Sequence, residues 1–498
     1  MGICRATILF TPAHYTAPMF AAIARFWRNY QHLVWVALGI MVLHLIIFFG
    51  TAVLLSSHGG SMANVINHQD EQEYISIANS MIALGEFRIS STIETETFRT
   101  IGYPAFVAFI LLITAGSFWA IYISHTLITG LTAAVTTWIA ELIGLPRRTS
   151  IVAGIIFGLS SGPFLLTTSG MGSDKIFPLL YAVAAALLLT FTVENRWRRA
   201  ALMGAIMGIA TLIRPIGILA SLPLFTAILF VPSLFVFPTI PERVRATTIA
   251  LLVFIAVMVP WHYRNYELAG RFSLSSLPVY NFVYYNIPLY YAGWEGKNEI
   301  AERDRILAEL GNPNLMTLRG YFYHDELAVM QKEFIKEKVV PYTLFHVYKM
   351  IPFFLGSGFN VAHAILAVEA PSMRSSLFPT EQENLTSAIL RGDYAVVWRN
   401  ITSYPVVTLE RLSWLIIFGL AFLSPLFAPA GPVRRFLVLA SLFILSMAFL
   451  SSPVIQPRYR VPIEPLLWPM FLYCLIFGYY TLLSWYKNRG FAKQKAQL

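Results

Sequence analysis

Long runs of uncharged, apolar residues alternate with short charged connections along most of the chain. About 20 mostly apolar residues are needed for an α-helix to cross the hydrocarbon of a bilayer. Runs of about that length predict about ten membrane-spanning helices, near residues 33–55, 117–140, 150–170, 176–193, 200–213, 216–237, 246–262, 405–427, 435–451 and 463–485. The first run exceeds the apolar core of a signal peptide, which has about 7–15 residues, so we expect a true span. The pattern predicts an all-α polytopic membrane protein.

Composition supports the same class. Of the 498 residues, 57% are hydrophobic and 12% are charged, whereas soluble domains carry about 25% charged residues. A net charge of +10 would favour a nucleic-acid partner in a soluble protein, but here cytoplasmic loops explain it, and we expect no nucleic-acid partner. Cys4 and Cys474 are too few for a disulfide framework or a metal site. We therefore expect no metal and no cofactor.

Basic residues concentrate in every second connection between the predicted spans. They are Arg25, Arg28, Arg147, Arg148, Arg196, Arg198, Arg199, Arg243, Arg245, Arg434, Arg435, Lys487, Arg489, Lys493 and Lys495. The positive-inside rule places this side, and with it both termini, in the cytoplasm. The opposite, outer side then receives loops 56–101, 170–175, 263–404 and 452–462. We expect a multi-pass protein of the cytoplasmic (inner) membrane, with its active site on the periplasmic or extracellular face.

Two uncharged regions do not fit a simple count of spans. Residues 103–140 are too long for one crossing, so Gly116 is expected to divide them and leave 103–115 as a short helix at the outer surface. Residues 339–368 are interrupted by prolines and histidines, and we expect them to form an amphipathic helix in the interface.

The long outer loop also carries charged, helix-like segments. Lys297–Leu310 and Asp325–Lys338 have helical patterns, which predict a small periplasmic cap over the membrane mouth, beside the juxtamembrane helices of the outer face. The chain thus divides into a catalytic transmembrane module at 1–262 that includes loop 56–101, a cap segment at 263–404, and C-terminal transmembrane helices with a basic tail at 405–498.

Two acidic positions on the outer side could carry chemistry. Asp70 starts a pattern with Tyr74, Ile77, Ala78 and Met81 at helical spacing. A carboxylate placed there could take a proton from a hydroxyl, although an acidic loop in solvent explains it equally well. Asp174 lies in a tight outer loop and could meet Asp70 across a cavity, or could simply cap the following helix.

Arg214 is the most unusual of the outward arginines. The uncharged run 200–213 before it spans only about 21 Å as a helix, so Arg214 is expected within the outer half of the membrane. A charge at that depth usually faces a cavity or a partner, although the side chain could instead extend to the interface. Planar guanidinium groups suit phosphate. Five arginines predict an outward anion site for a lipid phosphate: Arg99, Arg214, Arg264, Arg458 and Arg460.

Six short motifs follow one another on the predicted outer face. They are Asp70 with Tyr74, Ala78 and Gly85; Arg-x-x-Gly-Tyr-Pro from Arg99; Ser173-Asp174; Arg214-Pro215; Pro-Trp-x-x-Arg-Asn from Pro260; and Arg-Tyr-Arg-x-Pro-x-x-Pro from Arg458. In this order the chain resembles membrane glycosyltransferases of the GT-C superfamily, in particular the bacterial protein mannosyltransferases and aminoarabinose transferases. It departs from them at Asp174, where Glu is more common, and at Ile101, where Pro is more common.

The resemblance implies an inverting sugar transfer from a polyprenyl-phosphate donor to a hydroxyl of a protein, lipid or glycan. It implies Asp70 as the general base and Asp174 as a second catalytic carboxylate that orients the acceptor or shares that role. The donor phosphate would bind Arg214, Arg264, Arg458 and Arg460. Further contacts to substrate would come from Glu73, Tyr74, Arg99, Tyr103, Trp261 and Tyr459.

Two other functions are compatible with the composition. One is a polytopic lipid or glycan transporter or flippase, a class that often has inverted repeats; no repeat is evident in this chain. The other is a polymerase or ligase of lipid-linked glycans, which uses similar donors. The enzyme hypothesis requires Asp70 and Asp174 to converge with Arg214, Arg264 and Arg460 on one cavity.

Overall fold

The structure, a computed structural model, describes residues 16–66, 69–89, 96–169, 172–231, 236–370, 393–454 and 456–495. Residues 1–15 and 496–498, which belong to the predicted terminal tails, and 90–95 of the predicted loop 56–101 lie outside it. Every regular element within the described ranges is helical, which confirms the predicted all-α class.

The helices follow one another through short connections. In chain order they are α1 (Thr16–Ser57), α2 (Met62–Ile66), α3 (Gln69–Leu84), α4 (Gly102–Ile113), α5 (Phe118–Leu142), α6 (Arg147–Leu159), α7 (Ser161–Ser169), α8 (Ser173–Leu189), α9 (Arg196–Ile213), α10 (Gly217–Phe230), α11 (Ile240–Ala269), α12 (Leu277–Asn281), α13 (Ile287–Trp294), α14 (Glu299–Glu309), α15 (Leu315–Arg319), α16 (His324–Tyr348), α17 (Ile351–Leu355), α18 (Gly358–Glu369), α19 (Tyr394–Ser403), α20 (Pro405–Phe427), α21 (Pro432–Ser451) and α22 (Glu464–Lys495). A π-helix at Phe282–Asn286 joins α12 to α13, and a 3-10 helix at Pro457–Arg460 precedes α22.

The structure is that of a multi-pass membrane protein. Within the described residues, seven spans are long and apolar enough to cross a bilayer: Arg28–Ser57, Phe118–Leu142, Arg147–Thr168, Ile240–Ala269, Pro405–Phe427, Pro432–Ser451 and Glu464–Tyr486. The spans predicted near 176–193, 200–213 and 216–237 do form helices, namely α8, α9 and α10. These three are too short or too polar to join that set. The count of ten stays a prediction.

The two irregular regions differ in outcome. The break predicted at Gly116 is confirmed, because α4 ends at Ile113, α5 starts at Phe118, and Gly116 has a φ of +83°, which favours glycine. The region 339–368 does not form one helix. Instead α16 and α17 meet α18 at an angle of 83°, and the pair is apolar enough to be an eighth, broken span. Its predicted position in the interface stays a prediction.

One hydrophobic core joins helices from both ends of the chain. Ile40 of α1, Ala133 of α5 and Phe177 of α8 belong to it together with Leu437 of α21 and Leu467 of α22. Alanines recur in the core of α8, and small side chains of this kind let membrane helices approach closely. Membrane helices from either side of segment 263–404 therefore pack together, and the proposed division into three segments stays a prediction.

The predicted basic connections contact one another at one end of the bundle. Arg147 Nη2 donates to the carbonyl oxygen of Asn29 over 2.9 Å, and Arg435 Nη1 donates to that of Phe230 over 2.8 Å. Because α8, α9 and α21 each have one end at these connections, their other ends lie together at the opposite end of the bundle. Those opposite ends carry Asp174, Arg214 and Ser452. Which end faces the cytoplasm stays a prediction.

A second, smaller hydrophobic cluster forms in the segment 277–348. Tyr280, Val283, Ile306 and Phe345 pack there, together with Phe98 from the connection before α4. The helices predicted at Lys297–Leu310 and Asp325–Lys338 are present as α14 and α16. Residues 277–348 are called the 277–348 segment below. The role of this segment as a periplasmic cap stays a prediction.

Gly102 offers a test of how α4 is seated. A Cβ atom there would lie 2.6 Å from the backbone nitrogen of Ile213 and 2.7 Å from the carbonyl oxygen of Leu212. We expect Gly102→Ala to separate α4 from the end of α9 and to lower the apparent Tm, because overpacking typically costs about 1–3 kcal/mol. Gly419→Ala in α20 is the control, because a methyl group added there would have no neighbour within 4 Å. Equal melting temperatures for both variants would contradict this packing.

Candidate functional site

A cavity of about 780 Å³ lies at the end of the bundle away from the basic connections. It is bordered by α3, by the starts of α8 and α10, by the 277–348 segment and by the connection between α21 and α22. The cavity has four acidic and four arginine side chains in its lining: Asp70, Glu71, Glu73, Asp174, Arg99, Arg214, Arg319 and Arg458. Among the described residues, no group of three or more His, Cys, Asp or Glu side chains could hold a metal ion.

Helix α3 presents Asp70, Glu73 and Tyr74 to this cavity. Residues three and four apart lie on the same side of a helix, so Asp70 brings Glu73 and Tyr74 with it. Ile77 and Ala78 are fully buried farther along the helix, which anchors it. Asp70 lies in the first turn, where the helix dipole favours a negative charge.

Arg99 joins the acids of α3. Its Nη2 donates to Asp70 Oδ1 over 2.5 Å and to Glu73 Oε2 over 2.7 Å. Its Nε also donates to Glu73 Oε2 over 2.9 Å, and its Nη1 donates to the Tyr74 hydroxyl over 3.2 Å. Burial opposes the charged form of Arg99, but Tyr74, Asp70 and Glu73 outweigh burial and hold the pKa of its guanidinium well above the usual value. Arg99 therefore stays charged and fixes both carboxylates.

Arg319 completes this group, and sequence reasoning missed it. Its Nη1 and Nη2 donate to the two oxygens of Glu73, each over 2.7 Å. Burial disfavours the charge of Glu73, but Arg319 and Arg99 together hold the pKa of that carboxyl below its usual value. Arg319 ends the short helix α15 and lies 246 positions from Glu73. No periodicity or motif in the chain marks that distant pairing.

A second charged group surrounds Asp174. Arg214 follows the last residue of α9 in extended conformation, and Pro215 prevents the helix from continuing through it. Arg214 forms an ion pair with Asp174, and the Nε of Arg458 lies 3.7 Å from Asp174 Oδ2. The Tyr459 ring lies 5.8 Å from the Arg214 guanidinium and 5.4 Å from that of Arg458. Two arginines thus face the carboxylate of Asp174 in this part of the cavity, and the charge of Asp70 also acts on Arg214.

Tyr103 supports the site from behind and does not line the cavity. Its side chain is 1% exposed, and its hydroxyl donates to Glu71 over 3.5 Å and lies 3.3 Å from His125 Nε2. Its ring meets that of Tyr74 edge-on, with centroids 4.7 Å apart. Glu71 itself is 5% exposed. Burial raises the pKa of Glu71 to about 8, against the opposing charge of Lys175.

Arg264 and Trp261, two further predicted site residues, are not among the residues that line the cavity. The Arg264 Nη1 donates to the Glu96 carbonyl oxygen over 2.8 Å and its guanidinium stacks on Trp261, 4.6 Å from the ring centroid. Trp261 is buried and its Nε1 donates to the Leu274 carbonyl oxygen over 2.9 Å. Both residues thus tie loop backbone to α11.

Arg460 also lies elsewhere, although it is only two residues from Arg458. It is 0% exposed and stacks on Trp414, 4.1 Å from the ring centroid. Successive residues of a 3-10 helix are about 120° apart, so Arg458 and Arg460 face different sides. Of the five residues expected to converge on one cavity, Asp70, Asp174 and Arg214 line it, whereas Arg264 and Arg460 are not among its lining residues. Arg458 lines the cavity in addition.

Searches of protein-family models, of curated proteins and of solved structures found no match to this chain.

The buried carboxyl of Glu71 predicts a pH-dependent stability. Its folded pKa of about 8 exceeds its ordinary value of 4.5, so the fold keeps a proton that the unfolded chain releases. This stabilisation is complete below about pH 4.5 and is lost as pH rises to about 8, at most by roughly 1.4 kcal/mol per pH unit. We expect Glu71→Gln to lack that decline, so its apparent Tm should rise relative to wild type between pH 5 and 8. Glu86→Gln, at an exposed position, is the control. Parallel pH profiles for Glu71→Gln and wild type would contradict this assignment.

Proposed function

We propose that this protein is a membrane glycosyltransferase that moves a sugar from a polyprenyl-phosphate donor to an acceptor hydroxyl on the outer face of the membrane. One observation carries the proposal: the carboxylates of Asp70 and Asp174 line the same cavity as Arg214 and Arg458. A candidate base and a positively charged group therefore share one enclosure, as a displacement with a phosphate leaving group requires.

The anion site belongs to the positive part of the lining. Arg214 and Arg458 both face the carboxylate of Asp174, whereas Arg99 and Arg319 bind the carboxylates of α3. A donor phosphate is therefore expected at Arg214 and Arg458, because Arg99 and Arg319 are already occupied by acids. In this arrangement Asp174 orients the two arginines, which differs from the acceptor-orienting role expected from the sequence.

The lining also suits the lipid part of such a donor. The apolar side chains of Ile213, Ile216, Leu219, Leu450 and Val454 line the same cavity as Arg214 and Arg458. Leu219 is also exposed on α10. The helices α9 and α10 have 18 and 14 residues and rise only about 27 Å and 21 Å, so their junction at Arg214 lies within reach of the hydrocarbon, which is about 30 Å thick. A phosphate on an isoprenoid chain meets charge and apolar surface together there.

The chemistry is a single displacement. Asp70 accepts the proton of the acceptor hydroxyl, and the hydroxyl oxygen forms a bond to the anomeric carbon. The bond from that carbon to the phosphate oxygen breaks, and its electron pair leaves with the polyprenyl phosphate. Arg214 and Arg458 stabilise the charge on the leaving group. Attack opposite the leaving group inverts the anomeric configuration.

Replacing the base tests the enzyme hypothesis. We expect Asp70→Asn to lower kcat by at least about 100-fold, because positioned general bases contribute about 10²–10⁴-fold. Binding of the donor should remain within about twofold of wild type. The measurement is product formation by the protein reconstituted in vesicles, with Glu86→Gln as a folded control. Wild-type turnover by Asp70→Asn would remove Asp70 as the base, and movement of intact donor lipid across the bilayer by wild type would favour the transporter.

Replacing Arg214 tests the anion site. We expect Arg214→Gln to raise the KM for the donor roughly tenfold or more, because loss of a buried charged contact typically costs about 2–5 kcal/mol. The acceptor KM should change little. Arg271→Gln is the matched control, since Arg271 pairs with Asp325 and is not among the cavity-lining residues. An unchanged donor KM in Arg214→Gln would exclude this phosphate site.

A further inference from the structure

Arg319 and Asp70 are the two ends of a continuous chain of charged contacts. Arg319 binds both oxygens of Glu73, each over 2.7 Å. Glu73 accepts from Arg99 Nη2 over 2.7 Å, and the same Nη2 donates to Asp70 over 2.5 Å. The order along this chain is therefore Arg319, Glu73, Arg99 and Asp70. If Arg319 is displaced, Glu73 loses its contacts with Arg319, and the contacts that Arg99 makes with Glu73 and Asp70 change as well.

The 277–348 segment is attached to the site at this same point. The Phe98 ring packs in the core of that segment and lies 4.1 Å from the Arg319 guanidinium. The backbone N–H of Ser276 donates to the Thr97 carbonyl oxygen over 3.2 Å, and the Ser276 hydroxyl donates to the carbonyl oxygen of Arg319. Arg319 thus contacts Phe98 and Ser276 on one side and binds Glu73 of α3 on the other.

Arg319 supplies one of the positive charges that face the acids of α3. Asp70 and Glu73 both contact Arg99, and Glu73 also binds Arg319 through both of its oxygens. Without Arg319, Glu73 loses its bidentate partner, and the positive charge beside Glu73 and Asp70 falls by one. A nearby like charge raises the pKa of a carboxyl and also repels an anionic donor.

The pairing of Arg319 with Glu73 is explained less well by a gain in folding stability than by a role in positioning. Taking charges out of water is costly, and buried ion pairs are often no more stabilising than apolar residues of similar size. A bidentate pair of arginine and carboxylate does, however, fix geometry closely. The contact with Glu73 is bidentate, which suits a group that has to hold other groups in position.

We propose that Arg319 is a positioning residue that couples the seating of the 277–348 segment to the orientation and charge of Asp70. This deepens the proposed function and rests on it for the role of Asp70. When α15 is seated, Glu73 is occupied by Arg319 and Arg99 is held toward Asp70. When α15 moves away, Asp70 and Glu73 compete for Arg99, and the base is misplaced.

The test compares Arg319→Gln, Arg319→Lys and the double variant Glu73→Gln/Arg319→Gln with wild type. Arg305→Gln is the matched control, because Arg305 pairs with Glu302 and Glu309 of its own helix α14. Two quantities are measured. One is hydrogen exchange of the peptides covering 69–84 and 96–101, which needs no substrate. The other is the pH profile of kcat/KM, whose acid limb reports the base of the free enzyme.

The proposal predicts faster exchange in both peptides for Arg319→Gln, and an acid limb displaced to higher pH by about one unit because Asp70 then has less positive charge beside it. Arg319→Lys should keep the limb in place but lower kcat, because lysine retains the charge and loses the planar fork. The double variant should return the limb to its wild-type position or below, because the charge of Glu73 is gone too, while kcat stays low because Arg99 has lost Glu73.

Exchange and acid limbs for Arg319→Gln that match those of Arg305→Gln would overturn the coupling. Full recovery of kcat in the double variant would also overturn it, because Arg319 would then only neutralise Glu73. If wild type transfers no sugar at all, the proposed function fails, while the exchange rates still decide whether Arg319 holds α3 in place.

Discussion

Charge pairing near hydrocarbon is the constraint on which this structure depends. An unmatched charge is costly there, so each acid brought to the cavity needs a cation from another part of the fold. Asp70 and Glu73 of α3 meet Arg99 and Arg319, and Asp174 of α8 meets Arg214 and Arg458. These contacts join the region between α1 and α4, the helix junctions of the bundle and the 277–348 segment around one cavity.

The pairing also divides the cavity into two electrostatic halves. In the half beside α3, Arg99 and Arg319 hold Asp70 and Glu73 in place. In the half beside Asp174, the guanidinium groups of Arg214 and Arg458 face one carboxylate. A donor with a phosphate group and a reacting carbon would be oriented by this difference, with its phosphate toward Arg214 and its carbon toward Asp70. In the proposed function, the short helices α9 and α10 would bring Arg214 to the depth of a lipid phosphate.

The sequence predicts the positions of the helices well, because the length of an apolar run can be read from neighbouring residues alone. Gly116 likewise marks the break between α4 and α5, where the backbone has a positive φ. The sequence also brings Asp70, Asp174, Arg214 and Arg458 to one cavity, because each ends or begins a helix on the same side of the bundle. Arg264 and Arg460 also lie near helix ends, but the side of the helix that each faces depends on tertiary packing. Arg319 could not be predicted, because its partner is 246 positions away.

The most direct test is an experimental structure of the protein in a lipid nanodisc with a non-hydrolysable polyprenyl-phosphate sugar. The account predicts the phosphate within hydrogen-bond distance of Arg214 and Arg458, the isoprenoid chain along Ile216 and Leu219, and the anomeric carbon facing Asp70 with room for a hydroxyl between them. A phosphate bound elsewhere, or a sugar that lies away from Asp70, would contradict it.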